Sequence, residues 1–337
     1  MDKLLKDLIH AHAVSGSEEE VRRIVMENIK PHVTSVDVDK MGNLIAIRKG
    51  GRPKVMLAAH MDEVGLVVKS VEESGRMHFT TLGSIDPLTI IAQRVHIKHD
   101  KGVVHGIITT PELVDGNEVY EKTRISDLFI ETGLSKQELG KLGITVGTFV
   151  DLEQDSGHLG KESVIYGKSL DDRLGCYILL EVASRLKAKT CELTFVFTVQ
   201  EEIGLYGAIT SAYELNPDYA LVIDTMNSYE SRGLRLIGSG PCLTIKDSLM
   251  ITNKRLNKWI TDVARKRNIP LQMDVSDLGT TDALNISISK GGVPVTVIGI
   301  AVKNIHSTAG IVDLNDVEAA IELIIELLKD PLKAPLV

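Results

Sequence analysis

Only three cysteines, Cys176, Cys191 and Cys242, occur in 337 residues, too few and too scattered for a disulfide framework or a paired-cysteine zinc site. Each lies in an apolar stretch and reads as a small buried hydrophobe, and reduced thiols fit a cytoplasmic location. Basic charge is also short, with 38 Lys and Arg against 46 Asp and Glu and a net charge of −8. That balance excludes a dominant role in binding polyanions, which rests on Lys and Arg neutralising phosphates, and it disfavours anionic membranes. No apolar run approaches the roughly 20 residues of a membrane-spanning helix. The opening MDKLLKDLIHAH is amphipathic and carries acidic residues, unlike a secretory signal. There is no internal repeat, no low-complexity segment and no long linker. No serine sits in a GxSxG elbow, and Gly238-Ser239-Gly240 lacks the spacing of a phosphate cradle.

What is present is an ordinary globular composition, 43% hydrophobic and 25% charged, with enough Val, Ile and Leu for a sizeable core. The length favours two domains, or one large α/β domain with an insertion. Leu4, Leu5, Leu8 and Ile9 are spaced as a short helix, and Ser17 with Glu20 reads as a capping box ahead of Val21, Ile24, Val25 and Ile29. Strands follow at Val33–Val38, Leu44–Ile47 and Lys54–Ala59, the first two joined through the turn signal Gly42-Asn43. Between about Val67 and Ser163 the texture changes to short alternating stretches (Met77–Thr81, Arg94–Lys98, Val103–Ile108, Thr148–Leu152) separated by turn residues. This predicts a small β-rich module, residues 67–163, inserted into a body formed by residues 1–66 and 164–337. Beyond Gly167 helices and strands alternate: helix Leu174–Leu186, strand Leu193–Val199, helix Tyr206–Tyr213, strand Tyr219–Ile223, helix Lys254–Lys266, strand Pro294–Gly299 and helix Val317–Lys329 opened by Asn315. Such alternation implies a mixed, largely parallel sheet sandwiched by helices.

In open α/β sheets, ligands bind outside the carboxyl ends of the strands. The residues that follow the predicted strands are therefore informative. His60, Asp62 and Glu63 follow KVMLAA, Glu201 and Glu202 follow LTFVFTVQ, Asp224 follows YALVI, and His306 follows VPVTVIGIAVKN. Asp171-Asp172 stands just before the next helix. Each has a plain structural explanation, such as a helix cap, a solvated strand end or a hydrogen-bonded histidine. Together they make an oxygen- and nitrogen-rich set suited to borderline divalent metals: zinc, cobalt or manganese. Two adjacent glutamates allow one to bind metal while the other stays free as a general base, and two ions ~3.5–4 Å apart is a geometry used in metal-assisted hydrolysis. The remaining histidines lack such a context. His96 and His99 are spaced toward opposite faces of a strand, and His10, His12, His32, His78, His105 and His158 have no carboxylate-rich neighbourhood in sequence.

The motifs Val14-Ser15-Gly16, Gly42-Asn43-Leu44, AAHMDEVG (58–65), DDRLGC (171–176), VQEEIGLYGA (199–208), TTDA (280–283) and IHS (305–307) resemble, over nearly the whole chain, the tetrahedral (TET) aminopeptidases, a family of dinuclear-metal glutamyl and deblocking aminopeptidases. The resemblance implies a zinc-aminopeptidase-like α/β body with an inserted, β-barrel-like dimerisation domain. It implies that Asp171 bridges two metal ions, that His60 and Asp224 complete the shell of one ion, and that Glu202 and His306 complete that of the other. Glu201 becomes the general base that deprotonates the water bridging the ions, and Asp62 orients the His60 imidazole. Asp172 reads as structural. The implied activity is removal of N-terminal residues from peptides, by a cytoplasmic homodimer that assembles into a tetrahedral dodecamer. The chain departs from the family pattern at Lys303-Asn304 and Thr308 around the last histidine motif and at Leu278-Gly279-Thr280, positions that bear on substrate preference rather than on metal ligands. Rival readings are a related metallohydrolase (carboxypeptidase, deacylase or glycan-active enzyme) and a non-catalytic metal-binding assembly protein. A glycosidase needs two carboxylates flanking a sugar, whereas these look committed to metal.

Overall fold

The computed structural model describes residues 1–100, 102–110, 123–153, 155–188 and 190–332. After two helices, Lys3–His10 and Glu19–Ile29, come the first three strands, β1 (Ser35–Val38), β2 (Leu44–Arg48) and β3 (Lys54–His60). Six more, β4 (Gly65–Val71), β5 (Met77–Leu82), β6 (Arg94–His99), β7 (Gly102–Thr109), β8 (Phe129–Glu131) and β9 (Phe149–Leu152), close into a barrel in the order β4-β5-β8-β7-β6-β9. Next come β10 (Gly157–Leu159), β11 (Lys161–Gly167), β12 (Glu192–Thr198), β13 (Tyr219–Asn227), β14 (Cys242–Lys246), β15 (Gln272–Val275), β16 (Val295–Val302) and β17 (Gly310–Asp313). The large sheet has eight strands in the order β1-β2-β12-β3-β13-β16-β14-β15, and β10-β11-β17 form a small antiparallel sheet.

The four central strands β12, β3, β13 and β16 run parallel. Their interior is almost continuously apolar because helices cover both faces. On one face pack the helices Lys3–His10, Glu19–Ile29, Leu170–Arg185, Lys254–Arg267 and Leu314–Lys329, with Leu8, Ile9, Val25, Leu174, Ile178, Phe195, Leu221, Ile260 and Ile324 in one buried cluster. On the other, Tyr206–Leu215 and Ala283–Ser287 pack against Met56, Val196, Val222 and Val297. The barrel has its own core of Leu66, Val68, Phe79, Val95, Ile97, Ile108, Ile130 and Val150. The mixed α/β body and the small barrel are the fold the sequence reading leads to. All three cysteines are buried, and the Cys176 thiol donates to the His60 carbonyl at 3.1 Å.

Local corrections follow from competing hydrogen bonds. Ser17 does not cap the second helix, which starts at Glu19 with Glu18 before it and no side-chain cap. Gly16 adopts a positive φ of 88°, the Glu18 carboxylate folds back to accept its N–H at 2.6 Å, and Glu20 turns to Lys98 and the His12 N–H instead of closing a box. The last helix begins at Leu314 and is capped by Asp313, which accepts the Asn315 N–H. Asp224 lies within β13, not beyond it.

The hairpin β1-β2 is tied to the body by Asn43, which is fully buried. Its amide donates to Asp39 at 2.7 Å and to the Gly207 carbonyl at 3.0 Å, while its oxygen accepts the Val199 N–H at 3.0 Å. Gly207 is needed there, because a Cβ would lie 2.3 Å from Asn43 Oδ1 and 2.6 Å from the Val199 carbonyl. Gly207→Ala is expected to destabilise the protein by about 1–3 kcal/mol. Urea unfolding checks this; an unchanged midpoint would show that the contact relaxes freely.

Candidate metal centre

The parallel centre of the sheet brings four carboxyl strand ends to one edge. His60 is the last residue of β3 and pairs in register with Thr198, so the loop after β12 that carries Glu201 and Glu202 emerges beside it. Asp224 projects from β13 next door, and His306 lies in the turn after β16. Asp171 comes from the first turn of helix Leu170–Arg185, where Asp171 and Asp172 keep non-helical dihedrals (φ −83°, ψ 110° and φ −116°, ψ 45°). Ser169, Gln200, Leu205, Asn304 and His306 all hold left-handed backbone with φ between 53° and 58°. Strained non-glycine backbone collects in this way where the surrounding structure must aim functional groups.

The distances form a chain through Asp171. His60 Nε2 is 3.2 Å from Asp171 Oδ1 and 3.8 Å from Asp224 Oδ1. His306 Nε2 is 3.3 Å from both Asp171 Oδ2 and Glu202 Oε2. Ligands held at about 2.0–2.1 Å around a tetrahedral zinc are about 3.3 Å apart, so three of these four separations match the edge of a metal's ligand shell. Two donor groups stand out, His60 with Asp171 and Glu202, and His60 with Asp172 and Asp224. Asp172, read from the sequence as structural, thus stands within reach of the donors. Its carboxylate also accepts the backbone N–H groups of His60 at 3.3 Å and Gly175 at 2.9 Å.

The Nδ1 atom of His60 faces the backbone carbonyl of Asp62 at 3.0 Å and its carboxylate at 3.6 Å, which directs Nε2 toward Asp171. The Asp62 carboxylate itself accepts from Ser15 Oγ at 2.6 Å and from the N–H groups of Glu201 at 3.0 Å and Glu202 at 3.2 Å. Glu18 accepts the preceding Gln200 N–H at 3.3 Å. Two buried carboxylates therefore brace the Glu201-Glu202 loop from beneath. Glu18 was not foreseen, because its only sequence signal is proximity to the Ser15-Gly16 break.

Charge gives an independent sign. Asp62, Asp172, Glu201, Asp224 and Asp282 are buried, with Asp171 and Glu202 nearly so, against only two imidazoles. Burial, then Asp171, lifts Glu202 to about 8 despite His306 and His60. Burial raises Glu201 and Asp224 well above the ordinary carboxylate range, reinforced for Glu201 by Asp224 and Asp282 and for Asp224 by Asp171. Burial pulls His306 down, but Asp171 and Glu202 outweigh it and bring it to about 9. Burial likewise opposes a charged His60, and Glu201, Asp171, Asp62 and Asp224 overcome it. Glu202 Oε1 and Asp282 Oδ1 are buried without a hydrogen-bond partner. Such a surplus of desolvated negative charge is the environment a divalent cation relieves. The donors His60, Asp171, Glu202, Asp224 and His306, together with Glu201, line one cavity of about 1080 Å³, open to solvent and roomy enough for the end of a peptide.

The family model described as M42 glutamyl aminopeptidase matches residues 42–323. The chain is 31% identical over 338 residues to the lysyl aminopeptidase of Pyrococcus furiosus, covering 97% of this chain and 96% of that protein. It also resembles the solved TET aminopeptidase of Thaumarchaeota archaeon SCGC AB-539-E09, with a TM-score of 0.94 and 35% identity over 99% of this chain and 98% of that one. The TET1 peptidase of Pyrococcus horikoshii superposes with a TM-score of 0.89 and 29% identity over 97% and 99% of the two chains, and that protein can assemble into a tetrahedron or a large octahedral shell. Fold and site together define a metal-dependent peptide hydrolase. The chain belongs to the M42 family of aminopeptidases.

Elsewhere the structure corrects the reading of His12, His78 and His105 as lacking carboxylate company and adds His96 to them, while His10 and His158 pair with a hydroxyl and with backbone groups. His12 Nδ1 is 3.2 Å from Asp151, His78 Nε2 is 2.7 Å from Glu72, and His96 Nε2 and His105 Nδ1 are 3.0 and 3.4 Å from Glu153. The partners come from other strands or lie several residues away, where linear spacing does not reveal them.

Proposed function

We propose that this chain removes N-terminal residues from peptides with two divalent metal ions, zinc or cobalt foremost and manganese as a further fit. Asp171 would be the shared ligand, His60 and Asp224 would hold one ion, and Glu202 and His306 the other. The observation that carries this reading is the run of 3.2–3.3 Å donor separations that passes through both oxygens of Asp171. When bound, such ions acidify water, polarise the scissile carbonyl and stabilise developing negative charge.

The chain's own groups do the rest. The Asp62 carbonyl fixes the His60 ring, and the Asp62 carboxylate holds the Glu201 backbone in place. Glu201, at the cavity wall and outside both donor groups, accepts a proton from the attacking water and returns it to the departing amine. Burial makes its carboxylate a stronger base than an exposed glutamate. Residues 1–66 and 164–337 are assigned to catalysis and residues 67–163 to dimerisation, with dimers assembling into a tetrahedral dodecamer like the shells formed by the Pyrococcus horikoshii relative. Among the described residues no helix is long and apolar enough to cross a membrane, and the scarcity of cysteine, with all three buried, supports a cytoplasmic setting.

Chelation is expected to abolish cleavage of aminoacyl-anilides, and zinc, cobalt or manganese to restore it. N-acylated peptides and cellulose should remain uncut. Undiminished hydrolysis after verified metal removal, or cleavage of N-blocked substrates at similar rates, would overturn the reading. Light scattering tests the assembly, with a mass near twelve chains expected and a monomer contradicting it.

A further inference from the structure

A second cluster of imidazoles and carboxylates lies on the barrel, away from the residues that line the hydrolytic cavity. On the antiparallel pair β6-β7, His96 stands directly opposite His105, and on the other side of β6 it is in register with Asp151 of β9. Glu153 lies two residues beyond Asp151, on the same side of the extended chain, and its N–H is bonded to the Arg94 carbonyl at 2.9 Å. His12, from the segment that joins the first two helices of the body, completes the row, its ring centroid 5.2 Å from that of His96. The His96 and His105 rings are 4.8 Å apart.

We propose that His96, His105 and Glu153, flanked by His12 and Asp151, form a separate binding site for a transition-metal ion of the zinc or nickel type. Glu153 Oε2 is 3.0 Å from His96 Nε2 and 3.4 Å from His105 Nδ1, spacings close to the edges of a tetrahedron with arms of about 2.0–2.1 Å. The ligand atoms of the three residues all lie within 4.8 Å of one another. Arg94 holds the other Glu153 oxygen at 2.9 Å, which leaves Oε2 turned toward the two imidazoles. A second observation points to a missing partner. Asp151 has a side chain only 7% exposed, and while its Oδ2 stands 3.2 Å from His12 Nδ1, its Oδ1 has no hydrogen bond. Burial keeps His96 toward its neutral, metal-binding form, opposed by Glu153 and Asp151 and assisted by His12 and His105. His105 is 66% exposed, which gives an ion a way in and leaves room for water to complete its shell. Because His12 belongs to the body and the other groups to the barrel strands, an ion held here would fasten the N-terminal segment to the barrel.

The test is titration of metal-depleted protein with zinc and with nickel, counting bound equivalents by calorimetry and elemental analysis. His96→Ala/His105→Ala is expected to bind one equivalent fewer than the unaltered chain, whatever number the hydrolytic centre takes, with aminopeptidase turnover unchanged. The exposed His105→Ala alone should weaken that equivalent roughly 10- to 100-fold without affecting folding. Asp171→Asn/His306→Ala should keep it, so failure of the hydrolytic reading and failure of this one are distinguishable. Equal equivalents and equal affinities in the unaltered chain and the His105 variant would reduce the cluster to hydrogen-bonded surface histidines and overturn the proposal. Loss of the equivalent in the Asp171→Asn/His306→Ala protein would do the same.

Discussion

Glu201→Gln should lower turnover of an aminoacyl substrate by roughly two to four orders of magnitude while bound metal stays at its original level. That loss corresponds to about 3–5 kcal/mol of transition-state stabilisation. The amide is nearly the size of the carboxylate and can still fill the buried position beside the cavity, but it cannot take a proton. Its backbone anchor, the N–H bonded to Asp62 at 3.0 Å, is untouched by the change. The companion variant Glu202→Gln should behave differently, because Glu202 faces His306 at 3.3 Å within the donor set and its replacement should cost metal as well as rate. Steady-state kinetics paired with metal analysis separates the two. Equal turnover in Glu201→Gln and the unaltered chain would remove Glu201 from proton transfer.

The second large effect concerns stability rather than chemistry. Arg173 is fully buried just behind the site, and its guanidinium donates to the carbonyls of Leu8 at 2.7 Å, Ala11 at 3.1 Å and Met61 at 2.9 Å and to the Glu63 carboxylate at 3.0 Å. Lys168 reaches the same carboxylate at 2.7 and 2.8 Å. The first helix, the loop after β3 and the helix bearing Asp171 therefore share one buried cation. Arg173→Met keeps much of the volume but orphans three carbonyls and removes one of the two cations that face Glu63. The expected cost is about 3–5 kcal/mol, as for other broken buried ion pairs, read from urea unfolding of metal-free protein. A loss below about 1 kcal/mol would mean that water replaces the guanidinium.

The same network carries a pH dependence. Burial alone would raise the Glu63 carboxyl, but Lys168 and Arg173 prevail and hold it at about 2, below its ordinary 4.5. Its contribution is thus complete above about pH 4.5 and is lost as pH falls toward 2. In Glu63→Gln that segment of the acid-unfolding curve should flatten.

How much of this was legible in the sequence depends on the range of the interaction involved. Long apolar runs such as Lys54–Ala59 and the alternation of Arg94–Lys98 signal strands because the periodicity of burial is local. Ser17 and Glu20 match a capping pattern, yet the Ser17 N–H bonds to the Val14 carbonyl, the Glu18 carboxylate takes the Gly16 N–H, and the Glu20 carboxylate turns to Lys98, 78 residues away. Phe129–Glu131 carries little pattern of its own, and its place as a barrel strand comes from pairing with Met77 and with Ile107–Thr109. His12, His96 and His105 look unrelated along the chain: His96 and His105 meet because β6 and β7 are adjacent, and His12 reaches His96 from the segment between the first two helices.

By itself the sequence determined the donor types, their order and their placement near strand ends, because strand-forming runs and the polar residues that interrupt them are written locally. Tertiary structure alone decided that Asp171 offers one oxygen to each histidine, that the Asp62 backbone rather than its carboxylate makes the closer contact with His60, and that Asp172 stands among the donors. Those outcomes depend on the register of parallel strands and on two non-helical residues at one helix start, and both are fixed only when the whole sheet packs.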